Sequence, residues 1–157
     1  QFIKSLNEDV FASSPLYPGA ALNLNISRFE PELRRALEKE KAGAVFFLTQ
    51  PVFTREALER LCTARKALKG KLYAGILPVA GYKNALFLHN EVSGIEIPPE
   101  LLARLEHADR NRAAELSYCF SLEIARQAAP YCDGFYLMPP LKRLDVICRL
   151  IPELKRL

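Results

Sequence analysis

Ala44-Val45-Phe46-Phe47-Leu48 is an unbroken apolar run, entered from Gly43 and closed off before Pro51. A strand wetted on one side alternates apolar and polar residues. A run with no polar member reads as a strand covered on both faces, the habit of parallel sheets. The signature recurs along the chain. Residues 19–24 form a small-residue apolar run, 72–77 end against Pro78, and 134–138 are halted by Pro139-Pro140. Helical periodicity fills the intervals. Phe2, Ile3, Leu6 and Val10 stripe a short helix over 1–10, broken by Ser13-Ser14-Pro15. Pro31 opens a helix to about Ala42, with Leu33, Ala36 and Leu37 inward and Gly43 placed to end it. Thr54 can cap a helix carrying Ala57, Leu58, Leu61 and Ala64. Further helices are expected over 83–92, 98–108, 111–129 and 143–157, the last despite Pro152. One helix followed by four strand–helix repeats, with extra helices after the third strand, predicts parallel βαβ units, barrel or doubly wound.

Length narrows that choice. The chain has 157 residues, and a complete (β/α)₈ barrel needs roughly 250. Four βα units are half of such a barrel, so residues 1–157 read as one partial domain whose sheet edges are left uncovered. Neither the G-x-G-x-x-G turn of a Rossmann unit nor a P-loop follows any strand, which argues against both nucleotide folds. Half of the residues are hydrophobic and a quarter charged, so disorder is excluded on composition. The net charge of +4 is spread among acids, as in Arg34-Arg35-Ala36-Leu37-Glu38-Lys39-Glu40-Lys41. That is a solvated helix face and no nucleic-acid stripe. No run reaches the ~18 apolar residues of a membrane span, and no secretory leader is visible. Gln1-Phe2-Ile3-Lys4-Ser5 reads as the middle of a protein, so a trimmed or processed piece is expected. Cys62, Cys119, Cys132 and Cys148 form no C-x-x-C pair, so no metal site is expected. Cys62, Cys119 and Cys148 fall in helical patterns and are expected to be buried reduced thiols, with a cytoplasmic location by default.

Chemistry in barrels sits at the carboxyl ends of the strands. Those positions hold Asn23 and Asn25, then Thr49 and Gln50, then Pro78 with Tyr82-Lys83, then Met138-Pro139-Pro140 with Lys142-Arg143. The set is polar, nearly free of acids, and without histidine. It suits binding better than proton transfer, and no catalytic residue is expected within this half. Each residue also has a plain structural alternative. Asn23 and Asn25 can be turn-formers, Gln50 can satisfy backbone groups, and Tyr82 can simply start a helix. Lys39 can be solvent-exposed, His89 structural and His107 merely exposed.

Several phrases together resemble one family. Ala42-Gly43-Ala44 followed by Phe46-Phe47-Leu48-Thr49-Gln50-Pro51-Val52-Phe53 is similar to the A-G-A-x-x-x-x-T-Q-P-V-F/Y segment of 5,10-methylenetetrahydrofolate reductases. Gly75-Ile76-Leu77-Pro78-Val79 resembles their G-I-x-P-L/V turn, and 19–25 their G-G-A-x-N-P-N strand end. Phe87 to Val92, with Gly94-Ile95 and Ile97-Pro98, is similar to the bacterial branch, which includes forms fused to a homocysteine methyltransferase; 134–140 resembles the last strand. The resemblance implies a (β/α)₈ barrel holding FAD. That enzyme passes a hydride from NAD(P)H through FAD to 5,10-methylenetetrahydrofolate. It places this chain from helix 4 to helix 8, the carboxyl-terminal half of the barrel. It implies that Gln50 bonds the folate pterin and that Tyr82 lies near it. It further implies that Lys39 contacts FAD and that Asn23 and Asn25 lie in the loop nearing the flavin. Leu24 and Lys41 depart from the family pattern, where proline and an acid are usual. The family's catalytic glutamate and its flavin-side aspartate belong to the other half, so this half alone is expected to be inactive. A homo-oligomer or a complementary amino-terminal half is the expected partner. Two other readings stay open: a half-length relative that binds a ligand or partner without flavin chemistry, and an unrelated βα protein of the folate- or phosphate-binding type.

Overall fold

The computed structural model describes residues 2–140 and 144–157. Lys142 and Arg143, named above after the last strand, and Gln1 lie outside the described residues. The order is α1 (Phe2–Asp9), β1 (Gly19–Leu22), α2 (Phe29–Lys41), β2 (Phe46–Pro51), α3 (Arg55–Ala67), β3 (Lys71–Ile76), α4 (Tyr82–Glu91), α5 (Pro99–Glu106), α6 (Arg110–Ala128), β4 (Gly134–Leu137) and α7 (Leu144–Leu154). The strands form one sheet in the order β1-β2-β3-β4, and every neighbouring pair is parallel. Each strand is laid beside the one before it. Crossovers that always step the same way, and that are right-handed, deliver every helix to the same face of the sheet. A doubly wound sheet would need a reversal of strand order, and this sheet has none. The architecture is α/β, built of successive βα units as in a (β/α)₈ barrel.

Burial along the strands shows which face the helices cover. On β2, Phe47, Thr49 and Pro51 are buried while Phe46 and Leu48 are half-buried and Gln50 is exposed. On β3, Leu72, Ala74 and Ile76 are buried, and Tyr73 is half-buried. The buried set packs with Ala36, Leu61, Ala64, Leu122, Ala125 and Leu150 from the helices into the main core. Phe46, Leu48, Tyr73 and Tyr136 point the other way, onto an open face. Phe46 and Tyr73 meet there edge-on, with ring centroids 6.1 Å apart. Gly19 makes room for the Phe46 ring, which would stand 2.2 Å from a Cβ at that position. A second, smaller core joins Phe53, Val79 and Ala85 to Ile95, Ile97 and Leu101 under the α4–α5 connection.

Local chemistry explains most boundaries. Thr54 caps α3, its hydroxyl accepting from the Ala57 N–H at 3.2 Å, as expected. Asp109 caps α6 in the same way through the Arg112 N–H at 2.8 Å. Gly43, at φ +110°, ends α2 where only glycine sits without strain. Two differences from the sequence reading bear on the carboxyl ends of the strands. β1 stops at Leu22 rather than reaching Leu24, because the Asn23 side chain accepts the Asn25 N–H at 2.9 Å and turns the chain. β2 runs on through Pro51 rather than ending at Leu48, so Thr49 and Gln50 belong to the strand and do not follow it.

The thiols also differ. Cys119 and Cys148 are exposed and Cys62 is half-buried. Cys119 and Cys148 fall between the inward positions of α6 and α7, which are taken by residues such as Leu116, Leu122, Ile147 and Leu150. No helix among the described residues is long and apolar enough to cross a membrane, and no cluster there could hold a metal ion.

Candidate functional site

Phe46 and Leu48 of β2 lie on the open face, and Gln50, beyond them at the carboxyl end, is the exposed polar residue of the strand. Its position depends on an irregularity. Leu48 pairs with Tyr73 and Pro51 with Gly75, so three steps along β2 match two along β3. The extra residue is a bulge, a device that bends a strand and re-aims its side chains. The Thr49 hydroxyl spans the gap, accepting from the Gly75 N–H at 2.8 Å and donating to the Gln50 carbonyl at 2.8 Å. The ladder resumes where the Val52 N–H donates to the Gly75 carbonyl at 2.9 Å.

Asn25 stitches neighbouring loops to this strand end. Its side-chain amide donates to the Pro51 carbonyl at 3.0 Å and to the Gly94 carbonyl at 2.6 Å. An asparagine amide carries two N–H donors, and these two carbonyls engage both. The α4–α5 connection is thereby tied down to the carboxyl ends of β1 and β2. Gly94 has φ +82°, and a Cβ there would come 3.3 Å from the Asn23 amide nitrogen.

The outer edge of β1 is dressed by α2. The Pro18 carbonyl accepts from the Val45 N–H, so even-numbered backbone groups of β1 face β2 and odd-numbered ones face outward. Two outward groups are met by side chains of one helix. Lys39 Nζ donates to the Ala21 carbonyl at 3.0 Å, and the Asn23 N–H donates to Glu32 Oε1 at 3.2 Å. Glu32 is only 8 % exposed, and Arg35 stands 3.6 Å from its other oxygen. Edge strands carry unpaired N–H and C=O groups, and charged side chains are one way to blunt them.

The structure thus brings Asn23, Asn25 and Gln50 to one end of the sheet and sets Lys39 on the outer edge of the same β1 strand. Tyr82 opens α4 behind Gly81 and is half-buried against the second core. His89 Nδ1 accepts the Ile97 N–H at 3.1 Å, a structural use, and His107 is exposed. Sequence reasoning passed over Glu32, whose place in a charged helix hid its burial, and gave Thr49 no role of its own. Its position before Gln50 in an otherwise apolar strand was the one available signal.

Comparisons with known proteins bear on this arrangement. None of the curated proteins matches the chain. A solved structure titled as an uncharacterized protein from Clostridium thermocellum that binds two copies of 5-methyl-5,6,7,8-tetrahydrofolic acid superimposes with a TM-score of 0.64 at 19% identity. The alignment covers 97% of this chain and 56% of that one, so the chain spans just over half the length of its structural neighbour. At that identity the likeness establishes the fold: successive parallel βα units. The sequence model of methylenetetrahydrofolate reductase matches residues 1–144, nearly the whole chain, and the protein therefore belongs to the methylenetetrahydrofolate reductase family.

Proposed function

We propose that this chain is the folate-binding, carboxyl-terminal half of a flavin-dependent methylenetetrahydrofolate reductase, spanning helix 4 to helix 8 of the barrel. The observation that carries the reading is the exposed Gln50 at the carboxyl end of β2, within a family match that includes it. A primary amide donates and accepts together, which suits the mixed edge of a pterin ring. The substrate of this reading is 5,10-methylenetetrahydrofolate, with Gln50 orienting the pterin and Tyr82 closing on the folate from the start of α4.

FAD would relay a hydride from NAD(P)H to the folate. The residues present fit it in part. Lys39 has a spare share of its three ammonium hydrogens beyond the Ala21 contact and suits a phosphate as a point charge. Asn23 and Asn25 form the loop beside that edge. Asn25 serves there by holding the loop, since its amide hydrogens are engaged by Pro51 and Gly94. A catalytic acid must stand within hydrogen-bond reach of the reacting nitrogen. Glu32 of α2 reaches the carboxyl end of β1, and it is buried against the Asn23 N–H. In this reading the acid comes from a complementary amino-terminal half that closes on the open face and on the free sheet edges.

The test is a pair of half-reactions in the complete enzyme. Gln50→Ala slows flavin reoxidation by methylenetetrahydrofolate and spares flavin reduction by NAD(P)H. Equal losses in both refute the assignment. A non-catalytic binding relative is the second reading, favoured by the side-chain dressing of the β1 edge, which lets that edge stand without a neighbouring strand. Such a protein would bind the folate and show no NAD(P)H oxidation.

A further inference from the structure

We propose that Thr49 is the positioning residue that fixes Gln50 for the folate, an inference that rests on the reading of Gln50 as the pterin contact. A bulge leaves its extra residue without a ladder partner and free to settle in more than one way. Here one hydroxyl removes that freedom. It takes the Gly75 N–H and gives its own hydrogen to the Gln50 carbonyl, both at 2.8 Å. Thr49 is 4% exposed, so water has little access to replace either bond.

Gly75 completes the clamp from the other side. A Cβ on Gly75 would stand 3.0 Å from the Gln50 carbonyl oxygen and 2.9 Å from that of Thr49, both backbone atoms. The bare Cα therefore lets β2 press inward at this rung, and the Thr49 hydroxyl holds it there. With the Gln50 carbonyl bonded by the Thr49 hydroxyl and set close against Gly75, the backbone that carries the exposed Gln50 side chain is held in one place. Threonine suits the place because a single buried side chain both donates and accepts. Valine keeps the shape and loses both bonds; serine keeps both bonds and loses the methyl.

The experiment is calorimetric titration of 5-methyl-5,6,7,8-tetrahydrofolate into the full-length protein, with melting temperature recorded for every variant. Thr49→Val should weaken binding by about 3- to 10-fold, the worth of one positioned hydrogen bond, while Thr49→Ser stays close to wild type. In a Gln50→Ala background the Val substitution should cost no further affinity, because the residue it positions is gone. A merely structural threonine would instead lower the melting temperature with affinity kept, or add its loss to that of Gln50→Ala, and either result overturns the proposal. Should Thr49→Val fail to fold, Thr49→Cys takes its place, a similar volume with a feeble hydrogen bond. Weakening by Gln50→Ala but not by the Thr49 variants sinks this inference alone. Undiminished binding by Gln50→Ala, or no binding by the wild-type protein, removes the folate reading and this inference with it.

Discussion

Removing the Asn25 amide should loosen the connection that crosses the strand ends. Asn25→Ala deletes two hydrogen bonds, to the Pro51 and Gly94 carbonyls, and leaves the backbone bond from its own N–H to Asn23 in place. Each intramolecular bond of this kind contributes about 0.5–1.5 kcal/mol net, so the pair is worth about 1–3 kcal/mol. The site is half-buried, and water can partly re-satisfy the carbonyls, which favours the lower part of that range. For a chain of this size the melting temperature should fall by about 2–10 °C. Asn25→Asp is the sharper probe, because it exchanges two donors for a carboxylate facing two carbonyl oxygens and should destabilise more than alanine. Urea unfolding gives the comparison: the midpoint should drop while the slope stays constant. Hydrogen exchange should rise first over residues 92–98, which the amide pins through Gly94, ahead of any change in β2. An aspartate variant as stable as wild type, or exchange at 92–98 unaltered by alanine, would refute the argument that this amide is a tie between loops.

Further outcomes follow from the charges and thiols. The hydrogen bond from Arg149 holds the Glu115 carboxyl below its ordinary range, against the opposing desolvation and with further help from the charges of Arg149 and Arg112. A depressed carboxylate contributes stability above its unfolded-state pKa and loses it as pH falls through the folded value. The melting-temperature gap between wild type and Glu115→Gln should therefore be open at neutral pH, close in acid, and narrow with added salt, since the pair is exposed. A gap that widens in acid would contradict this. Burial pushes the Cys132 thiol up, so mild alkylation near pH 8 should modify the exposed Cys119 and Cys148 first and Cys132 late, as peptide mass mapping will show. Lys39→Ala should raise the FAD dissociation constant in the complete enzyme, most at low ionic strength; an affinity that does not change with salt or substitution leaves Lys39 with the β1 edge alone.

The sequence by itself determined the order of elements, because hydrophobic period and punctuation are local. The run 44–48 marked a strand, Thr54 a cap and Gly43 a stop, and the structure keeps all three, although β2 lies at Phe46–Pro51 and is covered on one face rather than on both. The repeat of strand and helix was enough for the parallel α/β class, and the T-Q-P-V-F phrase marked Gln50 before any geometry was known. Tertiary structure decided the rest, since it turns on partners far apart in the chain. β2 reaches Pro51 because the Thr49 hydroxyl finds Gly75, 26 residues away. Asn25 is a tie rather than a simple turn residue because Gly94, 69 residues on, returns to the same strand end. Glu32 and Lys39 look like any two charges on a solvated helix until β1 offers them an N–H and a carbonyl on its outer edge. Cys119 and Cys148 show the converse: a helical pattern says that some face is buried, and only the packing of α6 and α7 decides which residues that face excludes. Period and punctuation are properties of neighbours in sequence, whereas the hydrogen bonds that aim a side chain are made between neighbours in space.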